Sequence, residues 1–140
     1  MGPTDGCLEQ AVADALSGYV GDVALMSFNP HSVAWMADIL PDIPRGLTTS
    51  AYDHEDWAPL DPVVCDRLRD ISDYDRVGAS FLSHEWRDLD RPRVRNLARQ
   101  GAVILCWTVK TPGDERAARA LAHNITFEKY LAPLSAAPAA

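Results

Sequence analysis

The stretch Gly101-Ala-Val-Ile-Leu-Cys-Trp-Thr-Val-Lys110 is followed at once by Thr111-Pro-Gly-Asp-Glu115. The first part is an apolar run, which is typical of a buried strand. The second part combines a capping threonine with Pro112, a pair that favours the start of a helix. Together they predict one strand–helix unit with Trp107 and Thr108 at the carboxyl end of its strand. In barrel folds that end of the sheet is where ligands bind.

The same pattern of apolar run, capping residue and proline recurs along the chain. Asn, Asp or Thr at the cap satisfies free amides of the first turn, and Pro fits there because its missing N–H had no partner. Four helix starts are predicted in this way: Asn29-Pro30, Asp61-Pro62, Asp90 with Pro92, and Thr111-Pro112. The apolar spacing of Leu8, Val12, Ala15 and Leu16 predicts an earlier helix from about Leu8 to Leu16.

The predicted strands are short, continuous apolar runs. They are Val23 to Phe28, Ile43 to Thr49, Val77 to Ser83, Ala102 to Val109 and Asn124 to Phe127. Continuous runs indicate burial on both faces, as in a parallel sheet covered by helices. The alternation of strands and helices therefore predicts an α/β architecture, either an open doubly wound sheet or a barrel. Composition does not separate these two.

Length and charge limit the classes of protein to consider. A chain of 140 residues with 47% hydrophobic residues has enough apolar surface for one folded domain. Its net charge of −7 argues against a nucleic-acid partner, because phosphate-backbone binding needs clustered cations. The arginines that do cluster are predicted to form a solvated helix face: Arg91, Arg93, Arg95 and Arg99.

The cysteines and the hydropathy pattern bear on location. Cys7, Cys65 and Cys106 are widely spaced and form no Cys-x-x-Cys pair, which fits a reducing compartment with Cys106 as a small buried side chain. No apolar run approaches the roughly 20 residues of a spanning helix, and no signal peptide is recognisable. We therefore predict a cytoplasmic protein without a transmembrane segment.

Four short motifs occur in a fixed order along the chain. They are Ser27-Phe-Asn-Pro30, Pro41-Asp-Ile-Pro-Arg-Gly-Leu47, Cys106-Trp-Thr-Val109 and Asn124-Ile-Thr-Phe-Glu128. In this order they resemble four motifs of the glycerophosphodiester phosphodiesterase family: Ser-Phe-Asp/Asn, Pro-Asp-hydrophobic-Pro-x-Gly-Leu, Trp-Thr-Val-Asn and a final Ile-Ile-Thr-Asp. The resemblance covers the chain from Leu8 to Tyr130.

The resemblance implies a TIM-type barrel that hydrolyses glycerophosphodiesters to glycerol 3-phosphate and an alcohol, using a divalent metal such as Mg²⁺ or Ca²⁺. The catalytic motifs of that family, His-Arg-Gly, Glu-x-Asp, His-Asp and Glu-x-Lys, do not occur in this sequence. A complete barrel of this kind needs roughly 250 residues. We therefore predict that residues 1–131 are the carboxyl-terminal portion of such a domain. This portion would be a partial TIM-type (β/α) barrel holding about the last four to five strands with their helices, and residues 132–140 a disordered tail.

The resemblance also assigns candidate site residues. Phe28 and Trp107 are predicted to bind substrate, and Ser27, Thr108 and Thr126 to line the pocket. The alternative for Phe28 and Trp107 is that both are ordinary core aromatics. No catalytic residue, metal ligand or cofactor is assigned to this chain by itself.

Two further features have structural interpretations. His84-Glu85 lies just past the third predicted strand, and its side chains are expected to point apart because they are adjacent. The long loop Ser50 to Pro62 holds Asp53, His54, Glu55 and Asp56, which we interpret as a solvated acidic surface segment.

Three functional hypotheses remain open. The first is part of a phosphodiesterase, inactive alone, whose parent family binds a small phosphodiester and whose exposed sheet edges favour self-association. The second is a non-catalytic α/β module that binds a phosphorylated ligand or a protein. The third is a ring closed by two copies of the chain. The start on a helix, with no strand before it, favours the first hypothesis.

Overall fold

A computed structural model of the chain describes residues 1–133. Its five helices are α1 Cys7–Leu16, α2 Pro30–Ile39, α3 Pro62–Arg69, α4 Pro92–Arg99 and α5 Pro112–Arg119. Its five strands are β1 Leu25–Ser27, β2 Arg45–Thr49, β3 Phe81–Glu85, β4 Val103–Val109 and β5 Asn124–Phe127, with a 3₁₀ turn at Trp86–Asp88. Residues 134–140, most of the predicted tail, lie outside the described residues.

The strands form one parallel sheet in the order β1-β2-β3-β4-β5. Each strand pairs with the next one along the chain, and a helix connects each pair. A doubly wound sheet reverses its strand order at a switch point, whereas a barrel adds strands in sequence. The observed order is therefore that of a barrel. Within residues 1–133, β1 and β5 do not pair with each other, so the sheet is not closed.

The face of the sheet that meets the helices carries the core. Leu47, Leu82 and Ile104 are register neighbours on this face and are almost completely buried. Helix α2 packs Val33 and Met36 against the same core, and α4 contributes Val94 and Leu97. These side chains hold the helices on one side of the sheet.

The opposite face, which we call the inner face, is only partly covered. Its register neighbours Gly46 and Phe81 are buried, but Met26 and Val103 are 51% and 45% exposed. Burial on both faces was expected for every strand. It holds for β2 and most of β3. It is wrong for β4, where exposed Val103 alternates with buried Ile104, and for the edge strands β1 and β5, which contain no fully buried residue.

Three of the four proline-marked helix starts have the expected side-chain cap. Asn29 accepts a hydrogen bond from the amide of His31, Asp61 from that of Val63 and Thr111 from that of Asp114. The fourth cap is wrong, because Arg91 occupies the cap position of α4 and makes no capping bond. The Arg91 guanidinium binds the Asp88 carboxylate. The predicted cap, Asp90, pairs with Arg95 instead.

Helix α1 is confirmed, but its packing depends on a polar residue. Leu8 is 69% exposed, whereas Glu9 is buried. The Glu9 carboxylate accepts hydrogen bonds from the hydroxyls of Thr4 and Ser32, and the bond from Ser32 holds the Glu9 pKa below its usual range. The contact between α1 and α2 therefore rests on this buried carboxylate.

The close approach of Gly46 and Phe81 yields a test of the inner face. A Cβ atom added at Gly46 would lie 2.3 Å from the Phe81 ring. We expect Gly46→Ala to lower the free energy of unfolding by about 1–3 kcal/mol, the usual cost of overpacking. Gly113→Ala is the matched control, because its added Cβ meets nothing nearer than 3.7 Å. Urea unfolding of both variants measures the difference, and equal stability would contradict the packing described.

Candidate functional site

An aromatic contact at the carboxyl ends of the strands joins the two predicted substrate-binding residues. Phe28 directly follows β1, and Trp107 lies in β4. Their ring centroids are 5.3 Å apart and the ring planes are nearly perpendicular, at 85°. The Trp107 indole N–H also donates to the carbonyl oxygen of Ser83 at 3.0 Å, so this side chain reaches toward β3. The structure thus brings Phe28 and Trp107 together.

This contact shows that the sheet curves. Strands β2 and β3 lie between β1 and β4. Neighbouring strands are about 4.8 Å apart, so three steps across a flat sheet would span about 14 Å. The rings of Phe28, just past β1, and Trp107 in β4 meet across this distance, as they would on a concave inner face. Concavity of this kind is expected of strands taken from a barrel wall.

The loop between β2 and α3 adds two further aromatic side chains. Trp57 lies 5.3 Å from Phe28 and 4.7 Å from Tyr52, measured between ring centroids. Tyr52 is fully buried, its hydroxyl donates to the Thr48 carbonyl, and burial raises the pKa of its phenol. The loop is therefore anchored at the strand ends and is not a plain surface excursion. Neither Tyr52 nor Trp57 was predicted as a site residue from the sequence.

Arg69 of α3 fixes the start of this loop. Its guanidinium donates to the carbonyl oxygens of Ala51 and Tyr52, at 2.6 and 2.8 Å. The same group also binds Asp66 at 2.8 Å. The Arg69 guanidinium is thus bound to two backbone carbonyls and one carboxylate.

The three predicted pocket-lining residues have different positions. Ser27 shares the helix-side face with its register partner Leu47, and its hydroxyl accepts a hydrogen bond from the Asn29 amide. Thr108 is half-buried and directly follows Trp107, whereas Thr126 is exposed on the edge strand β5. Their role in lining a pocket stays a prediction.

A buried polar chain lies on the other side of the sheet. His84 is fully buried in β3, not just past it as predicted, because that strand begins at Phe81 and ends at Glu85. Its Nε2 lies 3.0 Å from Asp88 Oδ2, and its Nδ1 lies 2.7 Å from Thr49 Oγ1. An ionised carboxylate can only accept, so Nε2 donates its proton to Asp88 and Nδ1 accepts from the threonine hydroxyl.

His84, at the centre of these bonds, is fully buried and has a structural role. His84 points toward the helices and Glu85 toward the inner face, in agreement with the expectation that the two side chains point apart. Burial lowers the pKa of His84, an effect partly opposed by its hydrogen bond to Asp88. The bonds of Thr49, His84 and Asp88 link β2, β3 and the 3₁₀ turn.

The residues present do not fit the divalent metal that the resemblance implies. Within residues 1–133, no group of three His, Cys, Asp or Glu side chains converges closely enough to hold an ion. In the acidic loop, His54 turns to Asp66 of α3 at 2.9 Å. The Glu128 carboxylate, just past β5, lies 3.8 Å from the Lys110 ammonium group.

The remaining observations concern cysteines and membranes. The three cysteines are free, and Cys106 is buried as predicted, with its thiol pKa raised by burial to about 11. No helix in the described part of the chain has both the length and the apolar character needed to cross a bilayer.

Comparison with known proteins identifies the fold. No family model matches the chain, and no curated protein matches it. A solved structure of a putative glycerophosphoryl diester phosphodiesterase from Silicibacter pomeroyi DSS-3 superposes with a TM-score of 0.62 over 84% of this chain, at 18% identity. A phosphodiesterase from Oleispira antarctica, solved with the product sn-glycerol-3-phosphate, superposes with a TM-score of 0.59 over 90% of this chain, also at 18% identity.

The chain has the fold of part of a glycerophosphodiester phosphodiesterase barrel. It covers 39% of the Silicibacter chain and 48% of the Oleispira chain, less than half of either. The predicted fold class, a partial TIM-type barrel of about four to five strands, is thereby confirmed. At this level of identity the likeness to glycerophosphodiester phosphodiesterases extends to the fold alone.

The buried histidine makes stability depend on pH. The folded state lowers the His84 pKa below its unfolded value of about 6.5. The contribution of neutral His84 to the free energy of unfolding is therefore fully present above that pH. It is lost as the pH falls through the folded pKa, where the unfolded state binds the extra proton. We expect His84→Gln to remove this component of the pH dependence. We also expect it to cost about 1–3 kcal/mol near pH 7, the penalty for buried groups left without partners.

Urea unfolding of the chain between pH 5 and 8 measures this effect. The control is His54→Gln, because His54 is exposed and pairs with Asp66 at the surface. It removes an imidazole without emptying a buried site, so it should cost less stability near pH 7 than His84→Gln. If His84→Gln has the pH dependence of the unsubstituted chain, the proposed effect of His84 on stability is contradicted.

Proposed function

We propose that this chain forms the substrate-lining part of a phosphodiesterase that hydrolyses glycerophosphodiesters to glycerol 3-phosphate and an alcohol. The contact between Phe28 and Trp107 is the observation that carries the proposal. It places two predicted substrate residues on the concave face, at the carboxyl ends of the strands. That end of a barrel is where its ligands bind.

The aromatic side chains suit the organic part of such a substrate. Phe28, Trp57 and Trp107 are each half-buried, so each ring combines a packed side with an accessible one. Accessible ring surface offers apolar contact to the carbon skeleton of a glycerol or an alcohol. In the proposed function these rings orient the diester and exclude water from its organic groups.

The hydrolytic step needs groups that this chain does not bring together. A divalent ion held by carboxylates would stabilise charge on the phosphate, and a general acid and base would move the protons. Residues 1–133 contain no cluster able to hold that ion. We therefore propose that the chain binds the diester without turning it over when it is alone.

The open sheet also bears on the partners that we propose for this chain. Met26 and Val103 expose apolar surface on the inner face, and β1 and β5 are its edges. Unpaired edges beside apolar surface favour association. We propose that the chain associates with itself, or, as the alternative function, that it is a non-catalytic module binding a phosphorylated ligand or a protein on this face. The free cysteines fit our proposal of a cytoplasmic protein of lipid and glycerol metabolism.

Binding and turnover are tested together with sn-glycero-3-phosphoglycerol. We expect this diester to raise the melting temperature of the chain, because a ligand that binds only the folded state stabilises it. We expect no release of glycerol 3-phosphate above buffer with Mg²⁺ or Ca²⁺ present. Phe28→Leu should reduce the thermal shift by half or more, because it removes a ring from the site.

The control substitution is Trp35→Leu, which removes a larger aromatic, 41% exposed, from α2. This variant should keep the thermal shift of the unsubstituted chain. Release of glycerol 3-phosphate by the purified chain would overturn our proposal that the chain alone does not hydrolyse the diester. A diester that does not bind at any accessible concentration would overturn the proposed function itself.

A further inference from the structure

The two edge strands of the sheet are open to a further strand. Within residues 1–133, β1 pairs only with β2, and β5 pairs only with β4. Proteins usually protect such edges with a charged residue or a proline in the strand. Leu25–Ser27 and Asn124–Phe127 contain neither kind of residue. The backbone of each edge can therefore pair with a strand of a partner.

Exposed apolar side chains lie beside both edges. On the β1 side they are Leu8 of α1, Val20 in the segment before β1, and Met26 in β1 itself. On the β5 side they are Phe127, the last residue of the strand, and Leu131. Burial of such side chains against a partner is favourable because it removes apolar surface from water. Both edges thus have apolar surface as well as free strand backbone.

The two sides of the sheet differ in charge. Residues 1–44, which include α1, β1 and α2, contain six carboxylates and no lysine or arginine. Residues 86–133, which include α4, β4, α5 and β5, contain nine lysines and arginines and five carboxylates. Surfaces of opposite charge attract each other and orient an encounter between proteins. The β1 side of one copy of the chain is therefore complementary in charge to the β5 side of another copy.

We infer that two copies of this chain associate head to tail, with β5 of each copy pairing in parallel with β1 of the other. This pairing continues the strand order within the chain, so the helices of both copies stay on the outside. It places α1 of one copy beside α5 of the other, because α1 precedes β1 and α5 precedes β5. Two such contacts, related by a two-fold axis, leave no open edge. The inference rests on the self-association in the proposed function and specifies its geometry.

Pairing of like edges is disfavoured by the same charges. Two β1 sides would bring acidic surfaces together, and opposed like charges cost free energy at an interface. In the head-to-tail pairing, Asp14 and Asp22 on the β1 side face a surface that carries Arg116 and Lys129 on the β5 side. All four side chains are exposed, and within residues 1–133 none of them takes part in an ion pair. These charged groups are thus available to a second copy.

Sedimentation equilibrium of the chain without ligand tests the inference. We expect a mass that approaches twice the 15.3 kDa of the chain as the concentration rises. Added salt should weaken the dimer, because exposed charges are screened. The mass of a single chain at every concentration up to the solubility limit would overturn the inference. Growth into open-ended larger assemblies would also overturn it.

Charge-reversed variants test which edges meet. Asp14→Lys with Asp22→Lys reverses the β1 side, and Arg116→Glu with Lys129→Glu reverses the β5 side. Each double variant alone should dimerise about 10-fold more weakly, the effect of a few exposed charge pairs. An equal mixture of the two should recover the affinity of the unsubstituted chain, because both contacts then join opposite charges. A mixture that stays as weak as the separate variants would contradict the head-to-tail pairing.

The control variant is Asp70→Lys with Asp75→Lys. It changes the net charge of the chain as much as the β1-side variant does, but near the central strand β3. Both carboxylates are exposed and lie between α3 and β3. This variant should dimerise at least as tightly as the unsubstituted chain. If it weakens the dimer as much as Asp14→Lys with Asp22→Lys does, the role of the β1 edge is refuted.

The inference and the proposed function fail in different experiments. A dimer whose melting temperature is unaffected by sn-glycero-3-phosphoglycerol would retain the head-to-tail pairing and refute the proposed binding of a diester. A chain that is monomeric at every concentration and binds this diester would retain the proposed binding and refute the pairing.

Discussion

The contact between Phe28 and Trp107 is the constraint on which the geometry of the site depends. Phe28 follows β1 and Trp107 lies in β4, with two strands between them, and a concave sheet brings the two rings together. The curvature is compatible with the tight packing of the inner face, where the Phe81 ring fits against the bare backbone of Gly46. A side chain at Gly46 would clash with this ring. Local sequence thus bears directly on the shape of the binding face.

The two faces of the sheet carry different kinds of residue and have different roles. The helix-side face holds the apolar core and the buried chain from Thr49 through His84 to Asp88, whose polar atoms satisfy one another. Such internal satisfaction is what makes burial of polar groups tolerable. The inner face, in contrast, presents half-buried aromatics and unpaired carboxylates at the strand ends. The larger hydrophobic core lies on one face and ligand binding, by our proposal, on the other.

Much of the fold was predictable because its signals are local. Prolines marked the first residue of all four later helices, three of them directly after a capping side chain, and apolar runs marked the strands, with β5 correct to the residue. The order of the motifs also indicated the barrel, and with it the position of Trp107 at a carboxyl edge. Periodicity was less reliable in α1, where Glu9 is buried because Ser32 of another helix satisfies its carboxylate.

The candidate site was only half predictable. Phe28 and Trp107 stand next to strand ends, where sequence alone places a side chain on the correct edge. Trp57 lies eight residues beyond β2, and its approach to Phe28 depends on how Tyr52 and Arg69 hold the loop. Contacts of this kind are set by tertiary packing and leave no periodic signal. The environment of His84 likewise depends on Thr49, which lies 35 positions away.

The four tryptophans allow the most direct test of the account. Two of them, Trp57 and Trp107, contact Phe28 at the candidate site, whereas Trp35 and Trp86 lie elsewhere. Indole N–H resonances of the ¹⁵N-labelled chain should be recorded during titration with sn-glycero-3-phosphoglycerol. The account predicts saturable shifts of the Trp57 and Trp107 signals, with those of Trp35 and Trp86 unchanged. Shifts confined to Trp35 or Trp86, or no shift of any indole, would contradict it.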